Sequence, residues 1–414
     1  MKFSAACASL VALLAVPLVI ADAPINNNGV SADIVVPDKY IVKYKDNANA
    51  TKKKQHEAEI TDKAKKGSKA GVVQKLDIQG LSGYVVELPA SELKDILTSD
   101  LVEYVEKDTI VNTTLVAADL EKRALVTQTR AQWGLGRISH KAVRHGSSDY
   151  IYDSSAGTGA TIYVIDTGIR ITHSEVVGRA SWGANFVNNV NTDENGHGTH
   201  VAGIAAGTTF GVAKKAKVVA VKVLDINGRG FTSSVIAGIN WVVSHCSIPS
   251  KCVINLSLGG GFSPALNAAV TGAYNRGITP VVAAGNNGQN AAGFSPASAP
   301  NAITVAAIDG SEIGDVPTLT ERRAWFSNFG VLVDIFAPGI DILSSWKDSN
   351  VATRWLSGTS MAAPHIAGLA AYYIGLGVVG APAITNKIIS TATLNQVTDL
   401  QGSPNRIGYN NNGF

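Results

Sequence analysis

Cysteine is scarce in this chain, with three in 414 residues. Cys7 belongs to an N-terminal segment with the marks of a signal peptide, which leaves Cys246 and Cys252. Two thiols cannot frame a disulfide-built scaffold. They are left either to pair across a short loop or to stand as free, buried groups. Charge is sparse as well. Charged residues make up 16% of the chain and apolar ones 45%, against roughly 25% charged in an average domain. That balance excludes general disorder and favours a large buried core. A formal net charge of +3 is too small to argue for nucleic acid or an anionic membrane as partner. The sequence has no internal repeat and no low-complexity tract. Its apolar run at Leu10–Ile20 falls short of the about 20 residues that a membrane span needs.

What is present divides into two parts. Lys2, the apolar run and the small residues Ala21 and Ala23 read as a secretory signal peptide over residues 1–21. The expected destination is extracellular, with a vacuole as the alternative. From Asp38 the text changes. YIVKY at Tyr40–Tyr44 alternates like a strand, and Asn49–Lys69 is charged with helical spacing. GYVVEL at Gly83–Leu88 is a second strand, a helix start follows at Ser91, and VEYVE at Val102–Glu106 is a third strand. This β-α-β-β-α-β-like alternation predicts a small open-faced sandwich, an α+β domain over residues 38–112. Residues 113–123 form a linker that turns charged and ends in the dibasic pair Lys122-Arg123.

Residues 124–414 alternate strands and helices, which predicts an α/β domain with a mostly parallel central sheet flanked by helices. Strands apolar on both faces are expected at Thr161–Ile165, Val218–Val223, Val253–Leu258, Thr279–Ala284, Ala302–Ala307 and Val333–Phe336. Helices are expected at Thr199–Ala206, Ser233–His245 and Pro264–Asn275, with a last one opening at Ser360.

Chemistry-bearing residues gather at the ends of these elements. Ser360 opens its helix, where unpartnered N–H groups and the helix dipole can hold negative charge. Pro364 is expected in the first turn of that helix, where its missing N–H costs little. Asp166 closes the first strand of the domain, at the carboxyl edge where open α/β sheets bind ligands. His197 sits among glycines at a helix start, and Asn286 follows the strand ending at Ala284. Singly, each has a bland alternative: a capping Ser or Asp, a core His, a turn Asn. Together they spell Asp, His, Ser and an amide donor, in the chain order of the subtilisin arrangement.

The motifs that carry this are YVIDTGI at Tyr163–Ile169, NGHGTHVAG at Asn195–Gly203, NLSLGGG at Asn255–Gly261, VVAAGNN at Val281–Asn287 and SGTSMAAPH at Ser357–His365. The sequence resembles the subtilisin-like serine proteases, and within them the proteinase K-like branch, over nearly all of 124–414. Residues 38–112 resemble that family's inhibitory propeptide. The resemblance implies a serine endopeptidase made as an inactive precursor, with Asp166, His197 and Ser360 as triad. Asn286 and the Ser360 N–H would hold the oxyanion. It implies one pocket wall at Ser257-Leu258-Gly259, the other at Ala284-Gly285, and a substrate-pairing segment at Gly228-Arg229-Gly230. No acidic residue stands in these pocket motifs, so a broad preference for apolar or aromatic P1 residues is expected. His200 matches the family's second, structural histidine.

The resemblance further implies a structural calcium held by Asp334 with the carbonyls of Pro300 and Ala302, and no cofactor for catalysis. A monomer is expected, acting on proteins or peptides and restrained by its own propeptide, whose end near Asp108–Thr113 would lie in the cleft like a product. Processing is expected after Lys122-Arg123, by a separate dibasic-specific protease, with autoprocessing within a few residues of that point as the alternative. The chain departs from the branch in three places. Val201 replaces a frequent free cysteine, the branch's two long-range disulfides have no counterpart, and the stretch from Ala307 to Phe326 is longer. Rival classes fare poorly. A metallohydrolase would use His197 and His200, but HExxH is missing, and an esterase's G-x-S-x-G is missing too. A non-catalytic relative would have lost one of the four site residues.

Overall fold

The structure, a computed structural model, describes residues 22–30, 32–78, 80–113, 131–141, 149–310 and 321–411. The signal segment and the pair Lys122-Arg123 lie outside them.

The N-terminal unit is an antiparallel sheet with a helix on one face. Its strands are β1 (Val35–Tyr44), β2 (Gly71–Ile78), β3 (Leu81–Glu87) and β4 (Val102–Thr113), in the order β2-β3-β1-β4. Helix α1 (Ala50–Lys66) begins at Asn49, whose side chain accepts the Thr51 and Lys52 N–H groups at 2.9 and 3.2 Å. That satisfies donors a helix start otherwise leaves orphaned. Buried His56, Ile60 and Ala64 recur every four residues, one face of a 3.6-residue helix. Side chains alternate across a strand, and here the two faces separate cleanly. Tyr40, Val42, Tyr44, Tyr84 and Val86 join α1 in the unit's own core. Ile41, Val85, Leu76 and Ile78 face the other way and share a core with the larger domain. β2 was not anticipated from sequence. Its charged residues interrupt the apolar pattern and alternate outward, leaving Leu76 and Ile78 to point in.

The larger domain is built on β5 (Thr161–Asp166), β6 (Ala180–Asn185), β7 (Lys217–Lys222), β9 (Cys252–Leu256), β11 (Thr279–Ala283), β12 (Ile303–Asp309) and β13 (Ile335–Pro338). The short strands β8 (Arg229–Phe231) and β10 (Leu258–Gly261) lie apart from this sheet. The seven pair in parallel in the order β13-β12-β11-β9-β5-β7-β6. β9 and β11 are buried at every position, as strands covered on both faces must be. One run was expected over Val253–Leu258; it breaks after Leu256 so that Leu258–Gly261 can leave the sheet.

Helices α2 (His197–Ala206), α3 (Thr232–His245), α4 (Pro264–Asn275), α5 (Thr359–Gly375) and α6 (Ala381–Thr391) cover the sheet. Residues Thr359 to Ile374 of α5 are all buried, the mark of a helix apolar on every side and central to the core. Cys246 and Cys252 are joined in a disulfide across the loop between α3 and β9.

The two units meet through β4. Its first half completes the small sheet against β1. Its second half pairs antiparallel with β8 on one side and β10 on the other. Two buried carboxylates of β4 anchor this join at helix starts. Glu106 accepts from Ser263 Oγ at 2.8 Å and the Ala265 N–H at 2.7 Å, at the head of α4. Asp108 accepts the Ser233 N–H at 3.0 Å and the Ser233 hydroxyl, at the head of α3. The helix starts supply donors at both places, while burial works against the charged form of each carboxyl.

Candidate active site

The site lies where three elements of the domain end or begin. β5 ends in Asp166, α2 begins with His197, and α5 begins at Thr359-Ser360. α2 and α5 pack against each other and against β5. Asp166 and His197 are fully buried. His197 Nδ1 meets Asp166 Oδ1 at 2.7 Å and Oδ2 at 2.9 Å. An ionised carboxylate accepts only, so Nδ1 carries the proton and Nε2 is the ring's basic nitrogen. Nε2 is buried and makes no hydrogen bond within the described residues. A side chain at position 198 would collide, its Cβ 2.1 Å from the Gly168 carbonyl and 3.2 Å from Asp166 Oδ1. Only glycine lets the two segments approach this closely.

Ser360 and Ser257 hold each other reciprocally. Ser360 Oγ donates to the Ser257 carbonyl at 3.0 Å, and Ser257 Oγ donates to the Ser360 carbonyl at 2.9 Å. The second bond explains a feature misplaced in the sequence reading. Pro364 lies beyond the first turn, inside α5, and it lacks the N–H that the carbonyl four residues back would accept. That carbonyl belongs to Ser360, and the Ser257 hydroxyl supplies the missing donor.

Asn286 is oriented by Thr359. Its Oδ1 accepts the Thr359 N–H at 2.9 Å and the Thr359 hydroxyl at 2.8 Å. Because a backbone N–H can only donate, the oxygen must face Thr359 and Nδ2 must point away. Nδ2 is buried with no partner within the described residues, so a strong donor waits beside the head of α5. Gly285, at φ +101°, makes the turn that delivers Asn286, and a Cβ there would sit 2.5 Å from Asn328 Nδ2.

One expected pocket wall and the expected substrate-pairing segment flank β4. Leu258 pairs with Thr113, and Gly259 with Asn112, on one side. Arg229, Gly230 and Phe231 pair with Asn112, Val111 and Ile110 on the other. Gly228, at φ +72°, closes the turn that presents this second strand. Ala284 and Gly285 are buried at the end of β11, with the Ala284 carbonyl tied to Asn328 at 2.9 Å. His200 is buried apart from this chemistry. Its Nε2 bonds the Arg354 carbonyl at 2.9 Å, and burial pushes its pKa down to about 3. Asp334 accepts the Thr304 N–H at 2.8 Å beside the turn that holds Pro300 and Ala302. Burial raises its pKa to about 6, opposed by that N–H and by Arg406.

Sequence reasoning passed over three residues near the site. Thr359 aims the Asn286 amide. Lys222, fully buried, donates to the Thr167 carbonyl at 2.8 Å. Asp193 gathers donors from both sides of the Asp166–His197 pair. The available signal was a charged residue, Lys222, inside an apolar strand and an Asp four residues before a helix-opening His.

Residues 157–409 match the model of the subtilase family, and residues 39–114 match that of the peptidase inhibitor I9 family. The chain is 47% identical over 425 residues to "Subtilisin-like protease 2" of Pseudogymnoascus destructans, covering 100% of both. It is 47% identical to a "Cuticle-degrading serine protease" of Arthrobotrys oligospora, covering 93% of each, and 42% identical to "Alkaline protease 1" of Aspergillus clavatus, covering 91% and 92%. A crystal structure of a cold-adapted subtilisin-like serine proteinase superposes with a TM-score of 0.62 at 41% identity, over 68% of this chain and 99% of that one. The chain belongs to the subtilase family of serine proteases and carries an I9 propeptide domain at its N-terminal side.

Proposed function

We propose that this subtilase is a secreted endopeptidase that works through Asp166, His197 and Ser360, with Asn286 as oxyanion donor. The observation that carries the reading is the pairing of Asp166 and His197 beside a Ser360 flanked by the buried Asn286 Nδ2, which has no partner among the described residues. Ser360 Oγ turns from the Ser257 carbonyl toward His197 Nε2, gives up its proton there and attacks the scissile carbonyl. Asp166 holds the ring and stabilises its charged form. The oxyanion is met by Asn286 Nδ2 and the Ser360 N–H at the positive end of α5. His197 then protonates the leaving amine, and water resolves the acyl-enzyme by the same route in reverse.

Substrate lies between β8 and β10 as an added strand, in the position now taken by Ile110–Thr113. Leu258, Ala284 and Gly285 offer the P1 side chain an apolar lining without an acid, which favours broad cleavage after apolar or aromatic residues. The propeptide of residues 38–112 therefore inhibits by occupying the cleft as a product would, and the linker 113–123 carries the processing pair Lys122-Arg123 ahead of the mature domain 124–414. Secretion is supported by the signal-like N-terminus and by relatives named for degrading cuticle. Asp334 with the carbonyls of Pro300 and Ala302 would offer calcium all-oxygen ligands, serving stability and not catalysis. A chelator should then lower the melting temperature of the wild-type enzyme and leave Asp334→Ala unmoved. A digest of an unstructured protein, with and without a sulfonyl fluoride, tests the reaction class: cleavage that persists with the inhibitor would refute it.

A further inference from the structure

We infer that Asp193 is a positioning residue for the reaction, a buried carboxylate that fixes the Asp166 turn against the start of the His197 helix. The inference rests on the triad reading above. Asp193 is 4% exposed, and five donors converge on it. Its Oδ1 accepts the Thr167 hydroxyl at 2.8 Å, the Asn195 N–H at 3.1 Å and the Gly196 N–H at 2.7 Å. Its Oδ2 accepts the Thr199 N–H at 2.9 Å and the Thr199 hydroxyl at 2.6 Å.

A helix cap alone would account for the backbone donors of residues 195 to 199. It would not account for Thr167, which follows Asp166 on a different element. The Thr167 hydroxyl also accepts the Gly198 N–H at 3.0 Å, and the Thr199 hydroxyl accepts the Arg170 N–H at 2.9 Å. Three hydrogen bonds therefore tie the segment after Asp166 to the segment around His197, and the Asp193 carboxylate is the common acceptor behind two hydroxyls in them. A carboxylate has acceptor capacity for all five donors. An amide in its place has one acceptor oxygen and turns its NH₂ toward N–H or O–H groups on the other side. Loosening this clamp leaves every triad member present while releasing the distance and angle between Asp166 and the imidazole.

The test compares Asp193→Asn, Thr167→Val and Thr167→Ser in the processed enzyme, with active sites counted by sulfonyl fluoride titration. Misplacement by about 1 Å can cost about a hundredfold in rate. We expect kcat per titrated site to fall at least about tenfold in Asp193→Asn and Thr167→Val, KM to stay within about threefold, and the acid limb of the kcat/KM profile to move. Thr167→Ser, which keeps the hydroxyl, should recover most of the loss. Wild-type kcat per site and an unmoved pH profile, with only a lower melting temperature, would overturn the inference and leave Asp193 a helix cap. Should Asp193→Asn not fold, the Thr167 pair decides alone. His197→Ala separates the two readings: if it retains activity the triad fails, whereas a dead His197→Ala beside a wild-type-like Thr167→Val sinks only the role of Asp193.

Discussion

Asn286 shows what a single residue can be asked to do here. One end of its amide is held by Thr359, and those fixed bonds turn the other end away from Thr359 as a placed donor. A donor held in place before charge develops costs no reorganisation when it does. Asn286→Ala should lower kcat by about a hundred- to a thousandfold with little change in KM, a magnitude established on a subtilisin's own oxyanion asparagine. It should also cost about 1 kcal/mol of stability, because the Thr359 N–H loses its cap. Steady-state kinetics beside thermal melting read both, and a change confined to KM would make Asn286 a substrate contact instead. At this scale the residue types were legible in the sequence, because Asp166, His197, Asn286 and Ser360 each stand at an element boundary in a distinctive motif. Their partners were not. That Thr359 aims Asn286, or that Ser257 completes the hydrogen bonding Pro364 leaves undone, depends on segments 73 and 103 residues apart being folded together.

Among the elements, β4 does the most, since one strand closes the propeptide sheet, caps two helices and pairs with both β8 and β10. Burial is the chief influence on Glu106, and it raises that carboxyl from 4.5 to about 7 against the opposing Ser263 and Ala265 donors. Asp108 is raised as well, again chiefly by burial. A raised carboxyl pKa means that the joined state holds the proton more tightly than the separated one. The contribution is whole below about pH 4.5 and is lost as pH climbs through about 7. The rise on Glu106 corresponds to roughly 3 kcal/mol. Inhibition of the mature enzyme by the isolated propeptide should therefore weaken between about pH 5 and 8, by up to about a hundredfold. Glu106→Gln should flatten that dependence, and a profile equally steep in the variant would assign it elsewhere. The sequence disclosed most helices and six of the seven parallel strands because their apolar patterns are unbroken, and missed β6, an edge strand with no fully buried position. It concealed β2, whose outward charges mask a strand pattern, and it merged β9 with β10, because both are apolar and only the cleft separates their roles.

At the scale of the whole molecule, the precursor is an enzyme closed by its own first domain. Ile41, Leu76, Ile78 and Val85 of the propeptide bury against the helices that Glu106 and Asp108 cap, so inhibition and packing use one surface. The α/β architecture follows from alternating strand and helix patterns, and the sandwich from the text after Asp38. How the two dock was legible only in outline, since the contact is made by strand pairing whose register no local pattern specifies. Maturation is a further consequence. The P1 preference proposed above, unsuited to basic residues, would leave cleavage after Arg123 to another protease, so the mature chain should start at Ala124. N-terminal sequencing reads this, and an unchanged start after Lys122-Arg123 is replaced by Ala-Ala would make the dibasic pair irrelevant. The central claim is that Ser360 is the nucleophile of a protease. The measurement that meets it most directly is kcat/KM of purified, folded Ser360→Ala on a peptide substrate. The account predicts loss of proteolysis to at most about a thousandth of wild type, with melting unchanged; activity near wild type in the folded variant would contradict it.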